Sequence, residues 1–154
     1  VDLHGLPCGC GNTGCLETVA TDIAFARKVS ARMQSPMQIE EIVTRARAGS
    51  LDVSNELSET LDYLAVGIAA VINIFNPEAV LICSRMLDAS ADAFDELVDR
   101  TRHRALGPLM RNCRILGAEG NTRNGAVASI LHYLTDSLGP VLPTETLKRE
   151  VEIR

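Results

Sequence analysis

Cys8, Cys10 and Cys15 fall within eight residues, in the run Cys8-Gly9-Cys10-Gly11-Asn12-Thr13-Gly14-Cys15. Thiolates are soft donors, and three of them turned toward one centre supply most of a tetrahedral Zn²⁺ shell. The interleaved glycines let a short loop fold back far enough for that convergence. The spacing therefore reads as a zinc site that needs a fourth ligand from elsewhere, with three thiols in a flexible loop as the plainer alternative. His4 is the nearest histidine and could be that ligand, though only through a tight turn at Gly5. His103 and His132 sit inside expected helices and read as surface or partly buried histidines. A redox pair of Cys8 and Cys10 is a third reading, but it lacks the two-residue gap of a thioredoxin-type motif. The remaining two of the five cysteines, Cys83 and Cys113, each lie in an apolar stretch and read as buried thiols. An odd, clustered set is not a disulfide framework, and it points to a reducing, cytoplasmic setting.

The loop has to be held by the elements on its C-terminal side. Helical periodicity begins near Leu16 and runs to Met33, with Val19, Ile23, Ala26 and Val29 on one stripe. Ser35-Pro36-Met37-Gln38 reads as the next helix start: Ser35 caps, Pro36 takes the first helical position and Gln38 closes a capping box. That helix runs to about Ala48 and stops at Gly49. The longest helix spans about Asp52 to Phe75, with Leu57, Leu61, Leu64, Ile68, Val71, Ile72 and Phe75 at three- and four-residue spacing. Its second half is apolar nearly all round, which predicts deep burial. Asn76-Pro77 ends it. Ala79–Cys83 is a short apolar run that reads as a buried parallel strand. A helix comes next, from Ala89 to about Ala105, with Phe94, Leu97 and Val98 inward, then a second strand over 113–118. A further helix over 123–137 and a tail helix from Thr144 complete the order. Two strands do not make a stable sheet alone, so other strands or a second copy should supply contacts.

Bulk properties limit the functions available. The chain has 154 residues, enough for one real core. Aromatics are 3% with no Trp, so the core must be aliphatic, which favours helices on a small sheet. A net charge of −5 gives no basic footprint for nucleic acid. No apolar run is expected to reach membrane-spanning length, and no signal peptide is visible. A start at Val1-Asp2 suggests a fragment or a processed product.

The run from Gly5 to Thr18 resembles the zinc-loop signature of the ROK family, which holds repressors, open reading frames and sugar kinases. The resemblance continues through Ala46-Arg47-Ala48-Gly49, Tyr63-Leu64-Ala65-Val66-Gly67 and Asn73-Ile74-Phe75-Asn76-Pro77-Glu78, to about residue 134. It implies an α/β, RNase H-like, actin-type fold of two lobes, of which this chain is the helix-rich C-terminal part. It divides the chain into a zinc-loop segment (1–17), a lobe (18–138) and a tail helix (139–154). In the family a Gly-Glu-x-Gly-His segment precedes the cysteines and its histidine is the fourth ligand. On that alignment the ligand lies upstream of Val1, and His4 matches a variable position. The catalytic aspartate and the phosphate loop also fall upstream. The glutamate two residues after the third cysteine, Glu17 here, accepts hydrogen bonds from sugar hydroxyls in the family. The simpler account of Glu17 is that it favours the N-terminus of the next helix.

Two branches of the family remain. The kinases usually carry Gly-Gly after the strand that comes after Asn-Pro-Glu, where the backbone approaches the nucleotide. This chain has Cys83-Ser84-Arg85 there, and a side chain at 83 crowds that approach. The resemblance thus leans away from catalysis and toward the effector-binding, dimerising part of a sugar-responsive regulator. Its DNA contact would come only through a domain outside this chain, and it would be a homo-oligomer. A C-terminal part of a sugar kinase is the alternative. The acidic stretch Ile39–Leu61 imitates a helix-turn-helix by pattern but reads as packing. A zinc-stapled interaction domain of another kind is the third hypothesis.

Overall fold

The computed structural model describes residues 1–118 and 147–150. The cysteine loop leads into a short 3₁₀ turn, Leu16–Thr18, and then α1, Asp22–Met33. The expected single helix from Leu16 is therefore broken. Thr21 breaks it, because its side chain accepts from the Ala24 N–H at 3.1 Å and caps α1 anew. The buried stripe of α1 is Ala24, Phe25 and Val29, whereas Ile23 faces solvent at 78% exposure. Of the stripe read from the sequence, Val29 is buried and Ala26 packs against the core, while Val19 precedes the helix and Ile23 lies off its buried face.

α2 spans Ile39–Arg47 and begins at Gln38 rather than Ser35. Ser30 explains the delay. Its hydroxyl accepts the Met37 N–H at 2.9 Å and turns residues 34–38 into an elbow that buries Met37. α3, Ser54–Phe75, matches the longest expected helix and ends at Asn76 in the left-handed region, φ 45°. By length and composition α3 could cross a membrane, with a mean hydropathy of 1.4, contrary to the expectation of no such run. Its stripe of Leu57, Leu61, Ala65, Ile68 and Ile72 is buried against the rest of the lobe, as in a core helix. The other side of its last turns is open, with Ile74 and Phe75 more than 70% exposed. Deep burial all round, expected from composition, does not occur.

β1 (Ala79–Ile82) pairs in parallel with β2 (Arg114–Ala118), with Ala79 opposite Arg114 and Ile82 opposite Gly117. The connection runs through a 3₁₀ turn (Arg85–Ala89), α4 (Ala93–Arg102) and a one-turn helix α5 (Gly107–Met110). Phe94, Leu97 and Val98 are buried, as their spacing predicts. β1 itself is only half-buried, and Leu81 is exposed. α4 is tied to α3 by Arg100, which donates to the Ser58 carbonyl at 2.6 Å and the Ser58 hydroxyl at 2.7 Å and pairs with Asp62 at 3.0 Å. The Asn73 side chain accepts the Leu106 N–H at 2.8 Å and fixes α5.

Residues 147–150 form β3, antiparallel to β2, where a tail helix was expected. The free edge of β2 offers this segment a complete ladder. The helix expected over 123–137 lies outside the described residues.

Candidate metal centre

The cysteines sit on a tight hairpin. Pro7 pairs with Thr13, the Cys8 N–H donates to the Asn12 carbonyl at 2.8 Å, and the Gly14 N–H donates to the Leu6 carbonyl at 2.9 Å. Cys8 and Cys10 ride the tip, and Cys15 leaves its base as the residue before the 3₁₀ turn. The return at Gly14 has φ 66°, and a Cβ there would stand 1.5 Å from the Asp2 carbonyl oxygen. Only glycine closes this loop.

The Sγ atoms of Cys8, Cys10 and Cys15 all lie within 4.8 Å of one another, and Cys10 and Cys15 are 3.6 Å apart. The edge of a ZnS₄ tetrahedron is about 3.8 Å, from Zn–S bonds of about 2.3 Å. The donor set therefore fits a thiophilic cation. Its electrostatics agree. The backbone N–H of Asn12 and the neighbouring sulfurs hold Cys10 below the ordinary thiol value. Cys15, hydrogen-bonded to Cys10 and then Cys8, is pushed up to about 11. The opposed shifts of Cys10 and Cys15 share the crowding of the sulfurs as a cause, and a divalent cation among them would favour their ionised forms.

His4 is exposed, and its ring is not part of this convergence. Glu17 is part of the neighbourhood: Cys8 Sγ donates to its Oε2 at 3.8 Å. Its side chain is directed at the loop, and α1 is capped by Thr21 and begins with Asp22. Cys83 is exposed rather than buried, because it leaves the strand before the turn at Ser84, whereas Cys113 is buried as expected. Burial pushes the Cys113 thiol up.

Two supports escape a reading of the sequence. Leu16 lies against Gly67 of α3 so closely that a Cβ at 67 would stand 2.4 Å from Leu16 Cδ2. A lone glycine inside an apolar helix was the available signal. The second support is Asp22. Its carboxylate accepts from the Ser84 hydroxyl at 2.6 Å and from the Arg85 and Met86 N–H groups at 3.0 and 2.9 Å. It thus binds the turn after β1 to the first residue of α1. Arg27 adds a bond of 2.6 Å to the Thr18 carbonyl. The cysteine loop is thereby anchored through Leu16–Thr18 to both α1 and α3.

Fold and site together define a helix-rich α/β unit with a parallel strand pair, preceded in the chain by a hairpin that carries three converging cysteines. The ROK family model matches residues 1–132, and the chain belongs to the ROK family. It is 23% identical over 116 residues to the xylose repressor of Bacillus subtilis (strain 168), covering 75% of this chain and 30% of that protein. It is 29% identical over 129 residues to the N-acetyl-D-glucosamine kinase of Citrobacter koseri, covering 84% of this chain and 42% of the kinase. Among solved structures, a ROK family transcriptional regulator, homolog of the E. coli Mlc protein, superposes with a TM-score of 0.65 at 31% identity, over 76% of this chain and 32% of that one. The chain spans less than half the length of these relatives.

Proposed function

We propose that this chain is the effector-binding and dimerising part of a ROK-type transcriptional regulator, acting in the cytoplasm. Cys8, Cys10 and Cys15 hold Zn²⁺, which serves as a structural staple. Glu17, supported by that staple, accepts hydroxyl hydrogens from a sugar or sugar phosphate. An ionised carboxylate can accept two such bonds at once, and a loop fixed by metal and by Leu16 keeps it in place. DNA is contacted by a separate domain, and effector binding biases an equilibrium between arrangements of the two lobes of an RNase H-like fold.

The observation that carries the regulator reading is the turn after β1. Sugar kinases of the family usually have Gly-Gly here. In this chain Ser84 and the N–H groups of Arg85 and Met86 are already committed to Asp22. Those donors are spoken for by an internal carboxylate, so they are not available to a phosphate. The kinase relative keeps the second reading, ATP-dependent hexose phosphorylation, in play. The full-length protein separates them. A coupled assay for ADP release with a panel of hexoses should show no turnover above background, while calorimetry detects sugar binding. Hexose-dependent ADP release would establish the kinase instead.

A further inference from the structure

We infer that Cys10 and Cys15 are also a redox pair: an oxidant of the peroxide class joins them in an intramolecular disulfide and so dismantles the metal loop. The metal half of this inference rests on the zinc reading above, and the disulfide half does not.

Geometry selects the pair. Cys10 and Cys15 have their sulfurs 3.6 Å apart, whereas Cys8 is turned to the Glu17 carboxylate at 3.8 Å. Cys8 and Cys10 are separated by one residue, and a bond between them would close a small, strained ring. To reach a disulfide length of about 2.05 Å the Cys10–Cys15 pair must close by about 1.5 Å. The hairpin tip can supply that movement. Positions 9 and 11 have no heavy atom within 4 Å of where a side chain would begin, so nothing packs against them. Cys10 is exposed and meets a solute oxidant first, with Cys15 half-buried behind it as the resolving partner.

The chemistry balances. The Cys10 sulfur attacks one oxygen of hydrogen peroxide, the O–O bond breaks, and the departing hydroxide takes a proton to become water. Cys10 is then a sulfenic acid. The Cys15 sulfur attacks it, the S–S bond forms, the S–O bond breaks, and a second water leaves with the Cys15 proton. Two thiols and one peroxide give one disulfide and two waters. With two of its three thiolates consumed, the loop keeps one soft donor and releases the metal.

The test uses the 154-residue chain, reduced and stripped of metal, with one equivalent of hydrogen peroxide. The intact mass should fall by two hydrogens, and denatured thiols should fall from five to three. All three clustered cysteines share one tryptic peptide ending at Arg27, so differential alkylation is read by fragment sequencing. Cys8 should be alkylated before reduction, and Cys10 and Cys15 only after it. Cys8→Ser should still form the disulfide, and Cys15→Ser should abolish it. A chain loaded with zinc should release one equivalent to a chromogenic chelator as the disulfide forms. Protection of Cys8, a disulfide between chains, or oxidation that stops at Cys10 overturns the pairing. Disulfide formation in a chain that binds no zinc overturns the metal half alone, and zinc binding without a disulfide overturns the redox half alone.

Discussion

A sulfur and a carboxylate carry different burdens in this loop, and single substitutions separate them. Cys10→Ser or Cys15→Ser replaces a soft thiolate by a hydroxyl that ionises far less readily. Zinc affinity should fall by about 100-fold or more, judged against the tenfold-to-hundredfold cost of losing even an indirect support. Competition with a chromogenic chelator measures it, and Cys83→Ser, on the exposed turn after β1, should leave it unchanged. Equal affinity in all three variants would remove the cluster from metal binding. Glu17→Gln keeps the size of the side chain but trades a charged acceptor for a neutral one. A hydrogen bond to a charged group contributes about 1.5–3 kcal/mol and a neutral one about 1. The difference predicts a loss of sugar affinity of about tenfold in the full-length protein. Zinc content at saturating metal should stay at one equivalent, because Glu17 is not one of the three converging donors. Calorimetry that finds the same sugar affinity in the variant takes Glu17 out of the site.

At the scale of elements the question is how a hairpin with almost no core of its own is held still. Leu16 seated against Gly67 is the contact that ties the loop's exit to α3. Replacing Gly67 by alanine has two opposed effects. Helix propensity favours alanine by about 1 kcal/mol, while overpacking costs about 1–3 kcal/mol. The new methyl would meet the end of Leu16 at 2.4 Å, so overpacking wins and Gly67→Ala should destabilise. In a Leu16→Ala background the clash is gone and the same substitution should stabilise, by up to about 1 kcal/mol. Urea unfolding of the four proteins reads this reversal of sign; the same sign in both backgrounds would show that the two residues do not meet. The contact also marks where sequence reading stops. α3, the Phe94–Leu97–Val98 face of α4, both parallel strands and the cysteine cluster were legible, because each is written in local spacing. Asp22 holding the turn at Ser84–Met86, and Leu16 filling the space at Gly67, join residues 62 and 51 positions apart, and no local pattern records them. The start of α2 misleads for a related reason: Ser35-Pro36 looks like a cap, but Ser30, one helix earlier, takes the Met37 N–H.

The whole molecule is uneven in its apolar surface. The ion pairs of Arg100, Arg104 and Asp62 and of Lys28 and Glu59 give the α1–α3–α4 side an ordinary charged exterior. The last turns of α3 and the first strand do not share it. Val66, Val71, Ile74, Phe75 and Leu81 are all exposed, at 41–73%. Covering a large aliphatic or aromatic side chain is worth about 1.5–3 kcal/mol, so four or five of them offer roughly 6–15 kcal/mol gross. Association of two chains costs about 4–15 kcal/mol. Two chains bury this face at once, which doubles the gross term to about 12–30 kcal/mol. The surplus over the cost of association brackets the roughly 8 kcal/mol of a micromolar complex, which predicts self-association of the isolated chain at micromolar concentration. Light scattering at tens of micromolar should give a mass above the 16.6 kDa of one chain. Sodium sulfate should raise that mass further, since it strengthens apolar burial, whereas an association driven by charge would weaken as salt is added. Replacing both Ile74 and Phe75 by lysine should return the monomer. Exposed substitutions of this kind change stability by only about 0.5 kcal/mol, so an unaltered urea midpoint would assign the lost association to the surface and not to unfolding. A wild-type chain that stays at 16.6 kDa under these conditions would leave the homo-oligomer without support from this face.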